Sequence, residues 1–210
     1  EMCIRDRYIT INIRKYFEFE NSKDGEDLLS SDLSDFSCPK NPDVEKFLKQ
    51  QAIEFTKKNQ SVTYLIYSAE DAELLGYFTL TSKPITINVK SDTAETISKT
   101  IQRKISRVSE YDAQSGTYAL SAYLIAQLGK NYTGGANERI SGEDILGLAV
   151  QKIKEMQYIG GGMVMFLEAE NSPQLMRFYK EQNGFKQFDI RETVNRENVA
   201  HTYIQLLKII

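Results

Sequence analysis

Apolar positions along the chain change period several times, and each change marks an element. From Tyr8, the residues Ile9, Ile11 and Ile13 alternate with polar neighbours, which predicts a half-buried strand over 8–19. Residues 20–37 are acidic and serine-rich with Leu28, Leu29, Leu33 and Phe36 as anchors, a short helix and a loop. After Pro39 and Pro42, the residues Val44, Phe47, Leu48, Ala52 and Phe55 recur at helical spacing and predict a helix over 43–58. Strands at 62–67 and 74–80, joined by a polar loop, read as an antiparallel hairpin. Ile97, Ile101, Ile105 and Val108 then mark an amphipathic helix over 93–108, within a segment, 84–116, that reads as an insertion between strands.

The second half is more regular. A long apolar strand over 118–128 leads into a glycine-containing polar loop, 131–139. Ile145, Leu146, Leu148, Ala149, Ile153 and Met156 place a helix over 142–157, and Gly160, Gly161 and Gly162 break the chain before a strand over 163–169. That strand turns sharply at Asn171 into a short helix, with Ser172 as N-cap and Pro173 at its first position. Leu175, Met176, Phe178 and Tyr179 follow at helical spacing, Gly184 stops the helix, and Phe185 reopens an extended segment. A last strand covers 200–209. Strand, loop, helix and strand in succession imply a parallel pair with a right-handed crossover. With the antiparallel first half, the sum is an α/β fold: a mixed, mostly antiparallel sheet with helices on both faces. Tyr179 stands on a helix that starts where a strand ends, the edge of such sheets at which ligands bind.

Composition narrows the function. The 210 residues suit one domain, taken here as 8–210, while 1–7 fit no element and are expected to lie outside the fold. A net charge of -3 gives no general attraction to nucleic acid or to an anionic membrane. Cys3 and Cys38 alone fit a reducing compartment, and no apolar run is long enough to span a bilayer, so no membrane is expected and the cytoplasm is. His201 is the single histidine, with no Gly-x-Ser-x-Gly elbow, which removes hydrolase relays. No cysteine–histidine spacing suits zinc, so no metal is expected. Neither a phosphate loop nor a dinucleotide turn is present.

Two features remain. The loop ending at Arg139, Ile140, Ser141 and Gly142 presents backbone donors at a helix start, where an anion is favoured, although most glycine-containing turns before helices are only caps. Tyr179 is either a packing tyrosine whose hydroxyl reaches water or a proton donor. Together, in this order, they resemble the GNAT superfamily of N-acetyltransferases, which move an acetyl group from acetyl-CoA to an amine. Arg139-x-x-Gly142 matches the first part of that family's Gln/Arg-x-x-Gly-x-Gly/Ala motif, with Asp144 at its last position. Asn171 and Phe178-Tyr179 before Gly184-Phe185 match its final motif, with one residue added before the glycine. The entry region, Phe36-Ser37-Cys38 and 41–48, is similar to that of the toxin-like acetyltransferases of toxin–antitoxin pairs, as are 61–65 and 75–78.

The resemblance implies the acyl-CoA N-acyltransferase fold, in which a central parallel strand pair splays around the pantetheine arm. Gln127, Leu128 and Gly129 would present backbone groups to that arm, Arg139, Ile140, Ser141 and Gly142 would cradle the pyrophosphate, and Asn171 and Phe178 would complete the cofactor side. Tyr179 would protonate the departing thiolate. Glu168 and Glu170 are alternative general bases, and an amine arriving neutral needs neither. The implied activity is direct acetyl transfer to a primary amine. Alternatives are a toxin-like enzyme acting on aminoacyl-tRNA under an antitoxin, and an interaction module that has lost CoA. Partners left open are tRNA, an antitoxin peptide and a second copy of the chain. Lys99, Arg103, Lys104 and Arg107, opposite the isoleucines of the 93–108 helix, are either a solvated face or a contact for an acidic partner.

Overall fold

Strand β1 (Tyr8–Asn12) is shorter than its alternating pattern predicts. Asn12 ends it: its Oδ1 accepts the Arg14 N–H at 2.9 Å, a side-chain turn that competes with the ladder. A 3₁₀ helix (Ile13–Glu18) follows and buries Ile13 and Tyr16, three residues apart as its period requires. The computed structural model describes residues 7–18, 22–90, 97–194 and 200–210. The expectation for residues 1–6, Cys3 included, and for the first residues of the 93–108 helix lies outside them.

Helix α1 (Ser22–Ser34) occupies the acidic stretch. The expected 43–58 helix is two, α2 (Pro42–Gln50) and α3 (Ala52–Lys57), broken at Gln51, whose φ of -124° leaves the helical range. The break turns the second helix so that Thr56, at 1% exposure, faces inward where the period had placed Phe55, at 36%. Phe55 instead leans edge-on against Phe47, centroids 5.6 Å apart. Then come β2 (Val62–Ser68), β3 (Leu74–Asn88), α4 (Lys99–Ile105), β4 (Glu110–Asp112) and β5 (Thr117–Lys130). A 3₁₀ segment (Thr133–Glu138) leads to α5 (Gly142–Gly160), β6 (Val164–Glu170) and α6 (Pro173–Met176). A π-helical turn (Arg177–Gln182), β7 (Lys186–Val194) and β8 (Ala200–Ile209) complete the order.

These residues form two compact units, one reaching Thr81 and taking in Ile125–Ile153, the other made of Ser82–Leu124 and Lys154–Ile210. The chain passes between them inside β3, β5 and α5. In the first, β2 pairs antiparallel with β1 and with β3, and the strand order is β1-β2-β3-β5. Ile13, Leu29, Leu33, Phe36, Leu48 and Leu65 form its core around Tyr77, whose hydroxyl donates to the Val44 carbonyl at 2.7 Å. That bond lets a fully buried tyrosine keep its polar atom satisfied.

In the second unit the order is β5-β6-β8-β7, with β4 beside β5 and β8 antiparallel to both β6 and β7. Ile87, Ile97, Ile105, Val164, Phe166, Phe188 and Leu207 make its core. The segment expected as an insertion holds the far half of β3, α4 and β4. On α4, capped by Ser98, Ile105 is buried, while Val108, placed by the period on the apolar side, lies past the helix end and is exposed. Over the described residues this is a mixed α/β fold, mostly antiparallel, with β5 and β6 as its parallel pair and helices around the sheet.

Candidate active site

Gln127, Leu128, Gly129, Arg139, Ile140, Ser141 and Gly142 lie in the first unit; Glu168, Glu170, Asn171, Phe178 and Tyr179 lie in the second. Just past β5, the Asn131 N–H donates to the Leu75 carbonyl at 2.9 Å. Backbone direction alternates along a strand, so Gly129 and Gln127 turn their backbone groups toward β3 and Leu128 turns its own away. Leu128 is therefore the residue of the three whose backbone N–H and C=O point away from β3. Gly129 has a packing reason of its own: a Cβ there would stand 2.6 Å from the Tyr77 ring and from the Val44 Cγ1.

The loop beyond β5 is shaped by Gly134 and Gly135, at φ 61° and 84°, in the left-handed region that favours glycine. Its final arginine does not bring free charge to an anion. The Arg139 guanidinium donates to Asp71 at 2.8 and 3.1 Å, to the Ser68 hydroxyl at 2.9 Å and to Glu73, with Glu70 at 3.7 Å. These carboxylates neutralise it and lock the β2–β3 loop. In return, the Arg139 hydrogen bond, helped by Ser68, pulls the Asp71 carboxyl down to about 2. In this structure Arg139 anchors the β2–β3 loop.

At the start of α5, Ser141 and Asp144 form a capping box. The Asp144 N–H donates to the Ser141 Oγ at 3.0 Å, and the Asp144 Oδ2 accepts the Ser141 N–H at 2.9 Å and its hydroxyl at 2.6 Å. From β1, the Tyr8 hydroxyl reaches the same oxygen at 3.3 Å and the Arg139 carbonyl at 3.1 Å. Arg7 pairs with Oδ1 at 3.2 Å. Burial raises the Asp144 carboxyl, but the Ser141 hydrogen bonds and Arg7 outweigh it and leave it below the usual carboxylate range. Ile140 is buried beneath the loop; Gly142 is half-buried. Sequence reading treated Asp144 only as a departure from a motif, although Ser-x-x-Asp at a helix start was legible as a cap. It also missed Lys130, whose Nζ donates to the Asn137 carbonyl at 3.0 Å and whose pKa burial lowers.

In the second unit, Ser172 caps α6 by accepting the Leu175 N–H, as predicted. The extra residue before Gly184 is absorbed by a π turn, the usual outcome of one insertion in an α-helix. The Asn183 N–H reaches the Phe178 carbonyl, five residues back, at 3.1 Å, and the Asn183 Nδ2 adds a second bond at 2.9 Å. The Phe185 N–H closes onto the Tyr179 carbonyl at 3.0 Å. Tyr179 is half-buried, its ring edge-on to Phe178 and Phe185 at 4.9 and 5.9 Å. Its hydroxyl has no hydrogen-bond partner among the described residues, and burial alone pushes its pKa up to about 12.

The two carboxylate candidates separate. Glu168 accepts from Gln205 at 2.7 Å and pairs with Arg191 at 3.1 Å, so its charge is committed. Glu170, at the exposed end of β6, makes no such pair among the described residues. Asn171 is exposed beside it. Among the described residues no cluster suits a metal ion and no helix is long and apolar enough to cross a membrane.

No protein-family model matches the chain, and no curated protein matches its sequence. Solved structures do. A tyrosine-to-phenylalanine mutant of KacT is 18% identical, with 94% of this chain and 95% of that one covered at a TM-score of 0.58. AtaT complexed with acetyl-methionyl-tRNAfMet is 16% identical, with 94% of each chain covered and a TM-score of 0.58. AtaTR bound with AcCoA is 12% identical, covering 95% and 94%, with a TM-score of 0.52. At such identities the likeness is one of fold, the GNAT fold that the motifs resembled.

Proposed function

We propose that this chain is an acetyl-CoA-dependent N-acetyltransferase that moves the acetyl group directly to a primary amine. The observation that carries the reading is Tyr179: a phenol largely removed from water, its hydroxyl without a hydrogen-bond partner among the described residues, on a π turn that fits the family's final motif with its one added residue. Asn171 and Phe178 take the cofactor-side roles of that motif. The fold shared with a structure bound to AcCoA supports it.

Acetyl-CoA supplies an acyl thioester. The chain's part is to orient and to move protons. The Leu128 N–H, directed away from β3, holds the arm, with Gln127 and Gly129 fixing the strand. Ile140, Ser141 and Gly142 supply the helix start toward the pyrophosphate. The amine loses its proton to Glu170 through water, or arrives neutral. Tyr179 returns a proton to the departing thiolate. A phenol at about 12 stays protonated throughout the working pH range, so the donor is always loaded.

Thermal denaturation with acetyl-CoA tests binding: at a hundred times its Kd the ligand adds about 2.7 kcal/mol of stability. No shift at millimolar acetyl-CoA overturns the reading. Where the shift is present, Tyr179→Phe is expected to keep it while lowering acetyl transfer by about a hundredfold or more. Turnover equal to wild type removes Tyr179 from catalysis. A second reading, an aminoacyl-tRNA acceptor under an antitoxin's control, is favoured by the fold shared with AtaT complexed with acetyl-methionyl-tRNAfMet and with an AtaT mutant toxin bound to the C-terminus of the antitoxin AtaR. The exposed Lys99, Arg103, Lys104 and Arg107 on and after α4 suit it.

A further inference from the structure

The proposed acetyltransferase needs the start of α5 to accept an anion, and the structure puts an anion of the protein's own there. The backbone and side-chain donors of Ser141 both point at the Asp144 carboxylate. Tyr8 and Arg7 add two more donors from a different element and fix that carboxylate in place. Glu143 stands beside it in the same first turn, so the positive end of the helix dipole already meets two negative charges. Arg139 does not offset them, because Glu73, Asp71 and Glu70 hold it.

We infer that Asp144 sets the cofactor affinity of this chain: its carboxylate holds the donors that the pyrophosphate of acetyl-CoA needs and must turn away before the nucleotide half can seat. This rests on the acetyl-CoA reading. It assigns Asp144 a positioning role, separate from the chemistry at Tyr179, and it makes Arg7 and Tyr8 part of the same device by anchoring the carboxylate in its occupying position. The contribution is specific to the nucleotide half of the ligand, because the pantetheine arm makes no demand on Ser141.

Asp144→Asn is the discriminating variant. It removes the charge and, because a neutral amide oxygen accepts more weakly than a carboxylate, loosens the hold on the Ser141 donors while leaving an oxygen to cap the helix. Titration calorimetry of the full chain is expected to show acetyl-CoA and 3′-phospho-ADP binding about tenfold tighter than in wild type, with pantetheine unchanged. Glu143→Gln, a charge removed one residue away and without the Ser141 bonds, is expected to change either ligand by less than threefold. Unchanged or weaker nucleotide binding by a folded Asp144→Asn protein overturns the inference, as does an equal gain in Glu143→Gln, which would reduce the effect to bulk charge. If neither wild type nor Asp144→Asn binds acetyl-CoA at millimolar concentration, the acetyltransferase reading itself fails, a separate outcome.

Discussion

Arg139 and Asp71 illustrate what a single side chain can and cannot disclose from its position in a motif. An arginine before a helix start was read as charge for a phosphate, yet the β2–β3 loop supplies Glu70, Asp71 and Glu73 to meet it. Sequence proximity carries no sign of that pairing, because Glu73 and Asp71 lie 66 and 68 positions away and Glu70 farther still. The pairing has a measurable pH signature. Asp71 is held at about 2 in the folded chain, below its ordinary range, so its contribution is complete above about pH 4 and is lost as pH falls toward 2. Melting temperatures of wild type and Asp71→Asn are expected to differ most above pH 4 and to converge as pH approaches 2. A gap that stays constant across this window would show that Arg139 does not hold Asp71 as described. Tyr179, by contrast, was legible by position, and what the structure adds is the state of its hydroxyl. The Ser141–Asp144 cap was written in the sequence too, but a family motif with glycine or alanine in view made Asp144 look like an exception instead of an N3 acid.

At the scale of elements, strands and helix starts with strong local chemistry were readable, and interruptions were not. Asn41 before Pro42, and Ser172 before Pro173, cap their helices as such residues should. The break at Gln51 carries no glycine or proline, so nothing local announced it, and the burial of Thr56 in place of Phe55 follows from tertiary packing. The π turn was visible only as a count, one residue too many before Gly184. The close approach of β3 and β5 is likewise hidden. A Cβ on Gly76 would stand 2.5 Å from the Gly129 carbonyl oxygen, and one on Gly129 would meet Tyr77 and Val44. Gly129→Ala is expected to destabilise the chain by about 1–3 kcal/mol through overpacking, read by chemical denaturation. Stability within 0.5 kcal/mol of wild type, on the scale of an ordinary surface substitution, would show that the core around Tyr77 has slack.

For the molecule as a whole, a net charge of -3 means that any affinity for nucleic acid must be local. The exposed Arg103 and Arg107 are the test of that. Their joint reversal to glutamate is expected to weaken tRNA binding and to shrink its salt dependence by about one log–log unit per lost phosphate contact. An unaltered salt slope would place the RNA elsewhere or remove it. The class of fold was legible because its strand, loop, helix and strand order is local; the grouping into two units was not, since each is assembled from separated stretches. The strand β8 is an instance with a consequence in time. It fills the place between β6 and β7, pairing with both, and it is made after both. On the ribosome, β6 and β7 therefore wait with facing edges unpaired, and the second unit can close its sheet only when translation has delivered 200–209.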